Sequence, residues 1–195
     1  MKNVFLDLGT HFGQGLSFFI ERLKIDNSWI VHTFEANPNT YKQFIDGTYN
    51  NYPFVIPHNE AITDYDGTIT VNIETVPEGD NGMGTSVISL DKWNPWDGTL
   101  RENFMKTEDV PCVDLARFIK ENFNDDDKIF IKMDIEGSEF VVIQKLIDEN
   151  LLARIDTIVV EWHAHFYTNK EEMEIKKINL NKTLNDAGVK VVEWH

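Results

Sequence analysis

The side chains in this sequence best suited to chemistry sit where apolar runs end. Asp134 closes Lys128-Ile129-Phe130-Ile131-Lys132-Met133, and Glu161 closes Ile155-Asp156-Thr157-Ile158-Val159-Val160, with His163 and His165 just beyond. If that second run stays extended, its period of two puts Glu161, His163 and His165 on one face. Carboxylates beside an imidazole can do two kinds of work. His163 or Asp134 can act as general base on a bound hydroxyl, histidine being suited by a pKa near neutrality. Alternatively, Asp134, Glu161 and His163 can hold a divalent cation, and hard oxygen ligands with one imidazole suit Mg²⁺ or Mn²⁺. A third reading leaves the histidines as satisfied polar groups at a strand end. Lys132 and Glu136 are expected to pair structurally, and Glu139 to sit in a first helical turn, where the macrodipole favours an acid.

A second constellation opens the chain. The run Asn3-Val4-Phe5-Leu6 stops at Asp7, breaks into a turn containing Gly9, Gly13 and Gly15, and continues with Leu16, Phe19, Ile20 and Leu23 at helical spacing. Strand, glycine turn and helix make a nucleotide site where the strand's carboxyl end meets the helix start. The order of the glycines is neither Gly-x-Gly-x-x-Gly nor a P-loop, so both phosphate-cradling readings lose ground. Asp7-x-Gly9-x-x-x-Gly13 instead resembles the first motif of Rossmann-like S-adenosylmethionine (SAM) methyltransferases. Glu35, at the end of the next apolar run Trp29–Phe34, is placed to accept hydrogen bonds from ribose hydroxyls. Asn59 or Glu60, after Phe54-Val55-Ile56-Pro57, can face an adenine edge or simply solvent.

The elements that must carry these groups alternate. Asn37-Pro38 and Asp114 read as helix starts, and a long polar helix is expected from about Asn169 to Ala187, followed by a strand from Val189 to Trp194. Thr68–Ile73 alternates as a strand after the turn Asp64-Tyr65-Asp66-Gly67. Strands alternating with helices predict an α/β fold, a doubly wound and mostly parallel sheet with helices on both faces. Residues 75 to 107 lack periodicity and read as an irregular lid or substrate loop. Within it, Trp93 and Trp96 can offer flat faces to a ring-shaped substrate or form a small satellite core.

Composition narrows the class. A chain of 195 residues, 42% hydrophobic, suits a single domain spanning 1–195. The net charge of −15, from 33 acidic and 18 basic residues, disfavours a surface for nucleic acid. One cysteine, Cys112, precludes an internal disulfide and is compatible with a reducing compartment. With no leader and no apolar run of membrane-spanning length, the expectation is a soluble cytoplasmic protein with no membrane partner.

The string Lys132-Met133-Asp134-Ile135-Glu136-Gly137-Ser138-Glu139 resembles the signature of the FkbM family of SAM-dependent methyltransferases. Other landmarks of that family fall in matching order: Leu6-Asp7-Leu8-Gly9 with Gly13, Phe34-Glu35-Ala36-Asn37-Pro38, Asn59-Glu60-Ala61-Ile62, Val110–Leu115 and Val160-Glu161-Trp162-His163. Ala36 departs from the family's usual proline. Only one strand follows the last helix, where such folds usually end in a hairpin, so an incomplete sheet edge is expected. The resemblance implies a Rossmann-like class I methyltransferase with SAM as methyl donor and a hydroxyl acceptor on a small molecule, the tryptophan loop favouring a sugar or glycan. It implies that Asp7, Gly9, Thr10, Gly13, Glu35, Asn59, Ala61 and Asp134 hold the cofactor, and that Asp134, Glu161 and His163 form the acceptor side. Two rivals are a binding module that keeps the fold without catalysis and a NAD-dependent oxidoreductase, the latter disfavoured by glycine order.

Overall fold

A computed structural model describes residues 1–73, 85–94 and 106–194. Its main sheet is built from β1 (Asn3–Leu8), β2 (Ile30–Phe34), β3 (Val55–His58), β8 (Lys128–Met133), β9 (Ile155–Val160) and β10 (Lys190–Glu193). Their order is β10-β9-β8-β1-β2-β3, and every neighbouring pair is parallel. Order reverses between β1 and β8, where the chain leaves toward β2 on one side and returns on the other. Such a switch point opens a crevice beyond the carboxyl ends of the strands.

Alternation along β1 sets the two cores. Val4, Leu6 and Leu8 point into the larger cluster with β8 and β9, whereas Phe5 joins Leu16, Phe19 and Phe44 on the other face. The second face is covered by α1 (Gln14–Leu23) and α2 (Pro38–Asp46), the first by α3 (Leu115–Asn122), α4 (Glu139–Asp148) and α5 (Lys170–Asp186). The sheet is therefore doubly wound. Helix starts follow the expected chemistry. Asn37 accepts from the amides of Asn39 and Thr40, and Asp114 from those of Ala116 and Arg117.

Sequence periodicity did not disclose a second, four-stranded sheet. It orders β4 (Ala61–Thr63), β7 (Lys106–Asp114), β5 (Gly67–Ile73) and β6 (Thr85–Ser86). β7 is twice as long as its apolar centre suggested, because it pairs along all of β5 in antiparallel register. Part of the stretch expected as an irregular loop is thus ordered strap. Residues 74–84 and 95–105, including Trp96, lie outside the described residues. Trp93 is 1% exposed and stacks on Phe166 with Ile88, Leu90 and Tyr167 nearby, so its face is not offered to a substrate. The satellite-core reading holds for it. β10 forms the edge of the main sheet beside β9. Among the described residues no helix is long and apolar enough to cross a membrane.

Candidate functional site

Three strand ends reach one rim in step. The amide of Asp134 donates to Leu8 O at 3.0 Å and that of Glu161 to Met133 O at 2.9 Å, so each is the first residue past its strand, one strand apart. Glu35 sits at the same rim beyond β2, its amide bonded to His58 O. Above the rim lies a cavity of about 350 Å³, within the range of small-molecule pockets. Gly9, Thr10, Glu35, Ala61, Asp134 and Glu161 all line it, as do Glu60, Lys132 and Glu136. Glu35 and Asp134 therefore open onto a single cleft.

The cofactor half is shaped by the first turn. Gly9 has φ +76°, and a Cβ there would lie 1.7 Å from Asp134 O. Only glycine lets the two strand ends close. Glu35 accepts from the amides of His11 and Asn37, both at 2.8 Å, through different carboxylate oxygens. Each oxygen keeps a second lone pair, a geometry that fits the vicinal hydroxyls of a ribose. Burial pushes Glu35 up to about 7, against the two amides, which pull it down.

Other expected cofactor residues stand behind the wall. Asp7 is fully buried and does not line the cavity, and neither of its carboxylate oxygens has a hydrogen-bond partner. Burial pushes its pKa up, offset in part by Lys132, its register partner on β8, whose Nζ lies 3.6 Å away. That ammonium donates to Gly9 O at 2.6 Å and to Asp134 Oδ2 at 3.3 Å. Lys132 thus braces Asp7, the glycine turn and Asp134, and the expected pairing with Glu136 gives way to these contacts. Gly13 also lies off the cavity. Its φ is +87°, and a Cβ would come within 2.7 Å of Thr48, so it seats α1 on the segment after α2. Asn59 does not line the cavity either; its amide donates to Glu35 O and Ala36 O and holds the turn that carries the Glu35 carboxylate. Glu60 and Ala61 reach the cavity in its place.

On the acceptor side the chain does not stay extended past β9. His163 has φ −99° and ψ 35° and leads into a 3₁₀ turn at Ala164–Phe166, which leaves His165 exposed and outside the group. The turn swings His163 inward until its ring is almost wholly buried. Its Nδ1 meets Glu139 Oε1 at 2.8 Å, while Nε2 faces Glu136 at 3.6 Å, Asp134 at 3.8 Å and Glu161 at 4.0 Å. Burial opposes a charge on His163, but Glu139 and Glu136 push it up to about 10. An imidazole near neutrality, the premise of the general-base reading, is not what these surroundings produce. Burial likewise pushes Glu136 up to about 8, with His163 pulling the other way.

Glu136 and Glu139 are the functional-site residues that sequence reasoning passed over. Glu139 is fully buried at the start of α4, accepts from the amides of Ile135 and Gly137, and so ties the loop after β8 to His163. Glu136 adopts φ +51°, a left-handed conformation uncommon outside glycine, and projects into the cavity wall. The signal was in plain view, since both belong to the acidic signature string, but its spacing alone does not say which acids converge.

A family model, the methyltransferase FkbM domain, matches residues 7–188. The chain belongs to the FkbM methyltransferase family. Neither the curated proteins nor the solved structures include a significant match. Membership makes SAM the cofactor to test against this cleft. The glycine turn without side chains, the buried Glu35 and the rim position of Asp134 suit an adenosine lying across the strand ends.

Proposed function

We propose that this chain is a SAM-dependent O-methyltransferase acting in the cytoplasm on a hydroxyl of a small molecule, with a sugar or glycan as the narrower form of the acceptor. The observation that carries the reading is that Glu35, suited to a ribose, and the carboxylates Asp134, Glu136 and Glu161 line one cavity at the switch point of a parallel sheet. SAM, when bound, supplies an electrophilic methyl group, so a C–O bond forms as the C–S bond breaks and the sulfonium becomes a neutral thioether. The chain's own residues then have two duties. Glu35 fixes the ribose, and the strand-end carboxylates accept hydrogen bonds from the acceptor hydroxyl and take up its proton. Alignment of this kind is the main demand of in-line displacement. Several carboxylates in one wall also suit a polyhydroxylated acceptor, because each oxygen can receive a hydroxyl. A net charge of −15 supports a small molecule over nucleic acid.

Incubation with methyl-labelled SAM and a panel of hydroxylated small molecules, sugars among them, tests this. The expected result is label on an acceptor oxygen with release of S-adenosylhomocysteine. Equilibrium dialysis against SAM and NAD supplies the contrary outcomes. Binding of NAD alone would make the chain an oxidoreductase, and binding of neither would make it a module without this chemistry.

A further inference from the structure

We infer that Asp134, Glu136 and His163 form a binding site for one divalent cation of the Mn²⁺ or Mg²⁺ kind, with Glu139 as the residue that positions His163. The inference deepens the proposed function and rests on it for the cation's use, though not for its binding. One carboxylate oxygen each from Asp134 and Glu136 and one imidazole nitrogen of His163 lie within 4.8 Å of one another.

Acidic clusters are common on a chain with a net charge of −15 and carry nothing by themselves. His163 sets this one apart. Its side chain is 3% exposed, its Nδ1 is taken by Glu139 at 2.8 Å, and its Nε2 is aimed at the carboxylates of Glu136 at 3.6 Å, Asp134 at 3.8 Å and Glu161 at 4.0 Å. Ligand atoms around a cation at about 2.1 Å are separated by about 3.0 Å when adjacent and about 4.2 Å when opposite. The separations from His163 Nε2, 3.6 Å to Glu136 and 3.8 Å to Asp134, fall between the two, and side-chain torsions can draw them in around an ion. A carboxylate on the far nitrogen is also the arrangement that orients metal-bound histidines: Nδ1–H donates to Glu139, and a cation binding at Nε2 displaces the proton that the carboxylates hold there in its absence.

Charge balance points the same way. Three carboxylates, those of Asp134, Glu136 and Glu139, lie within 3.8 Å of the one imidazole. Lys132 compensates Asp134 at 3.3 Å and the charged ring of His163 a second carboxylate. Partly buried like charges in excess are unfavourable, and a dication relieves the excess directly. Oxygen-rich ligation with a single imidazole selects Mn²⁺ or Mg²⁺ over the softer metals. At this wall of the cavity the cation would bind the acceptor hydroxyl, acidify it, and leave the proton to a neighbouring carboxylate. The original expectation of Asp134, Glu161 and His163 changes in one ligand: Glu136 replaces Glu161.

Binding is tested with Mn²⁺ alone, without SAM or acceptor. Titration followed by electron paramagnetic resonance should show one tight ion per chain, and electron spin-echo modulation of the bound ion should show coupling to an imidazole ¹⁴N. Asp134→Asn and Glu136→Gln should each weaken binding by about tenfold or more, and Glu139→Gln by about tenfold to a hundredfold, as for partners of metal-bound histidines. The exposed Glu174→Gln on α5 should leave it unchanged. SAM affinity retained in Glu136→Gln and Glu139→Gln shows that the fold and the other half of the cleft survive. No tight Mn²⁺, bound Mn²⁺ without the nitrogen signal, or binding indifferent to Asp134→Asn and Glu136→Gln would overturn the site. Methyl transfer persisting at full rate in chelator would remove the cation from the reaction while leaving the methyltransferase reading intact. Mn²⁺ binding without SAM binding would do the reverse.

Discussion

Glu35 is asked to be buried and ionised at once. Its carboxyl is pushed up to about 7 from an ordinary 4.5, chiefly by burial. A carboxyl raised in the folded state stabilises the fold fully below its unfolded value, and that stability is lost as pH rises through the folded value. Between about 4.5 and 7 the ligand-free protein should therefore lose about 3 kcal/mol from this one group. Glu35→Gln should lose this pH dependence, its melting temperature in the absence of SAM holding level between pH 5 and pH 8 while the parent's falls, as thermal denaturation would show. The same change should weaken SAM binding by about tenfold to a hundredfold, the worth of a charge-assisted hydrogen bond. Ribose hydroxyls favour the ionised carboxylate, so the parent's affinity should fall as pH drops below 7 while the variant's dependence flattens. Calorimetry at pH 6 and pH 8 decides; equal affinities for parent and variant would take Glu35 out of the ribose site.

Among the elements, the glycine turn between β1 and α1 does two jobs that its spacing does not separate. Gly9 touches the cavity and the backbone of Asp134 just past β8, whereas Gly13 touches only packing, against Thr48 and Phe44. Gly13→Ala forces a side chain into a left-handed position with a neighbour at 2.7 Å, and should destabilise the fold by roughly 2–4 kcal/mol in chemical denaturation. Affinity for SAM in the fraction that stays folded should be nearly unaltered. Gly9→Ala should be worse, because the clash is with main chain at 1.7 Å and neither strand can retreat without breaking its ladder. A Gly13→Ala variant as stable as the parent would show that the turn relaxes in a way the packing does not predict.

Taken as a whole, the molecule holds its acceptor wall from two directions. The main sheet delivers Asp134 and Glu161, and the strap after the second sheet clamps the loop between them. Ser86 Oγ donates to Glu136 O at 2.7 Å, Val87 N donates to the same oxygen, and Tyr167 OH donates to Gly137 O at 2.9 Å. Gly137 packs so closely on Ile88 that a Cβ would meet it at 2.5 Å. Ser86→Ala leaves Glu136 O with the Val87 amide alone and strips the buried Ile88 amide of its acceptor, and should cost about 1–3 kcal/mol of stability. It should also slow methyl transfer while sparing SAM affinity, a split that steady-state kinetics and calorimetry can separate. Unchanged transfer would mean that the strap has no part in setting Glu136.

Much of the fold was legible in the residues because its signals are local. The caps Asn37 and Asp114, the polar run of α5 and the apolar runs of β1, β8 and β9 are each read from neighbouring positions. So were the rim positions of Glu35, Asp134 and Glu161, since a strand's end places its next residue whatever surrounds it. What only the tertiary structure decided were the contacts between distant segments. Lys132 turned to Gly9 and Asp7, Asn59 to the backbone of its own turn, and His163 to Glu139 through a 3₁₀ turn that no periodicity announced. Side-chain type and spacing constrain which groups reach the same rim, but a charge takes the partner nearest to it in space, and that distance is set by packing.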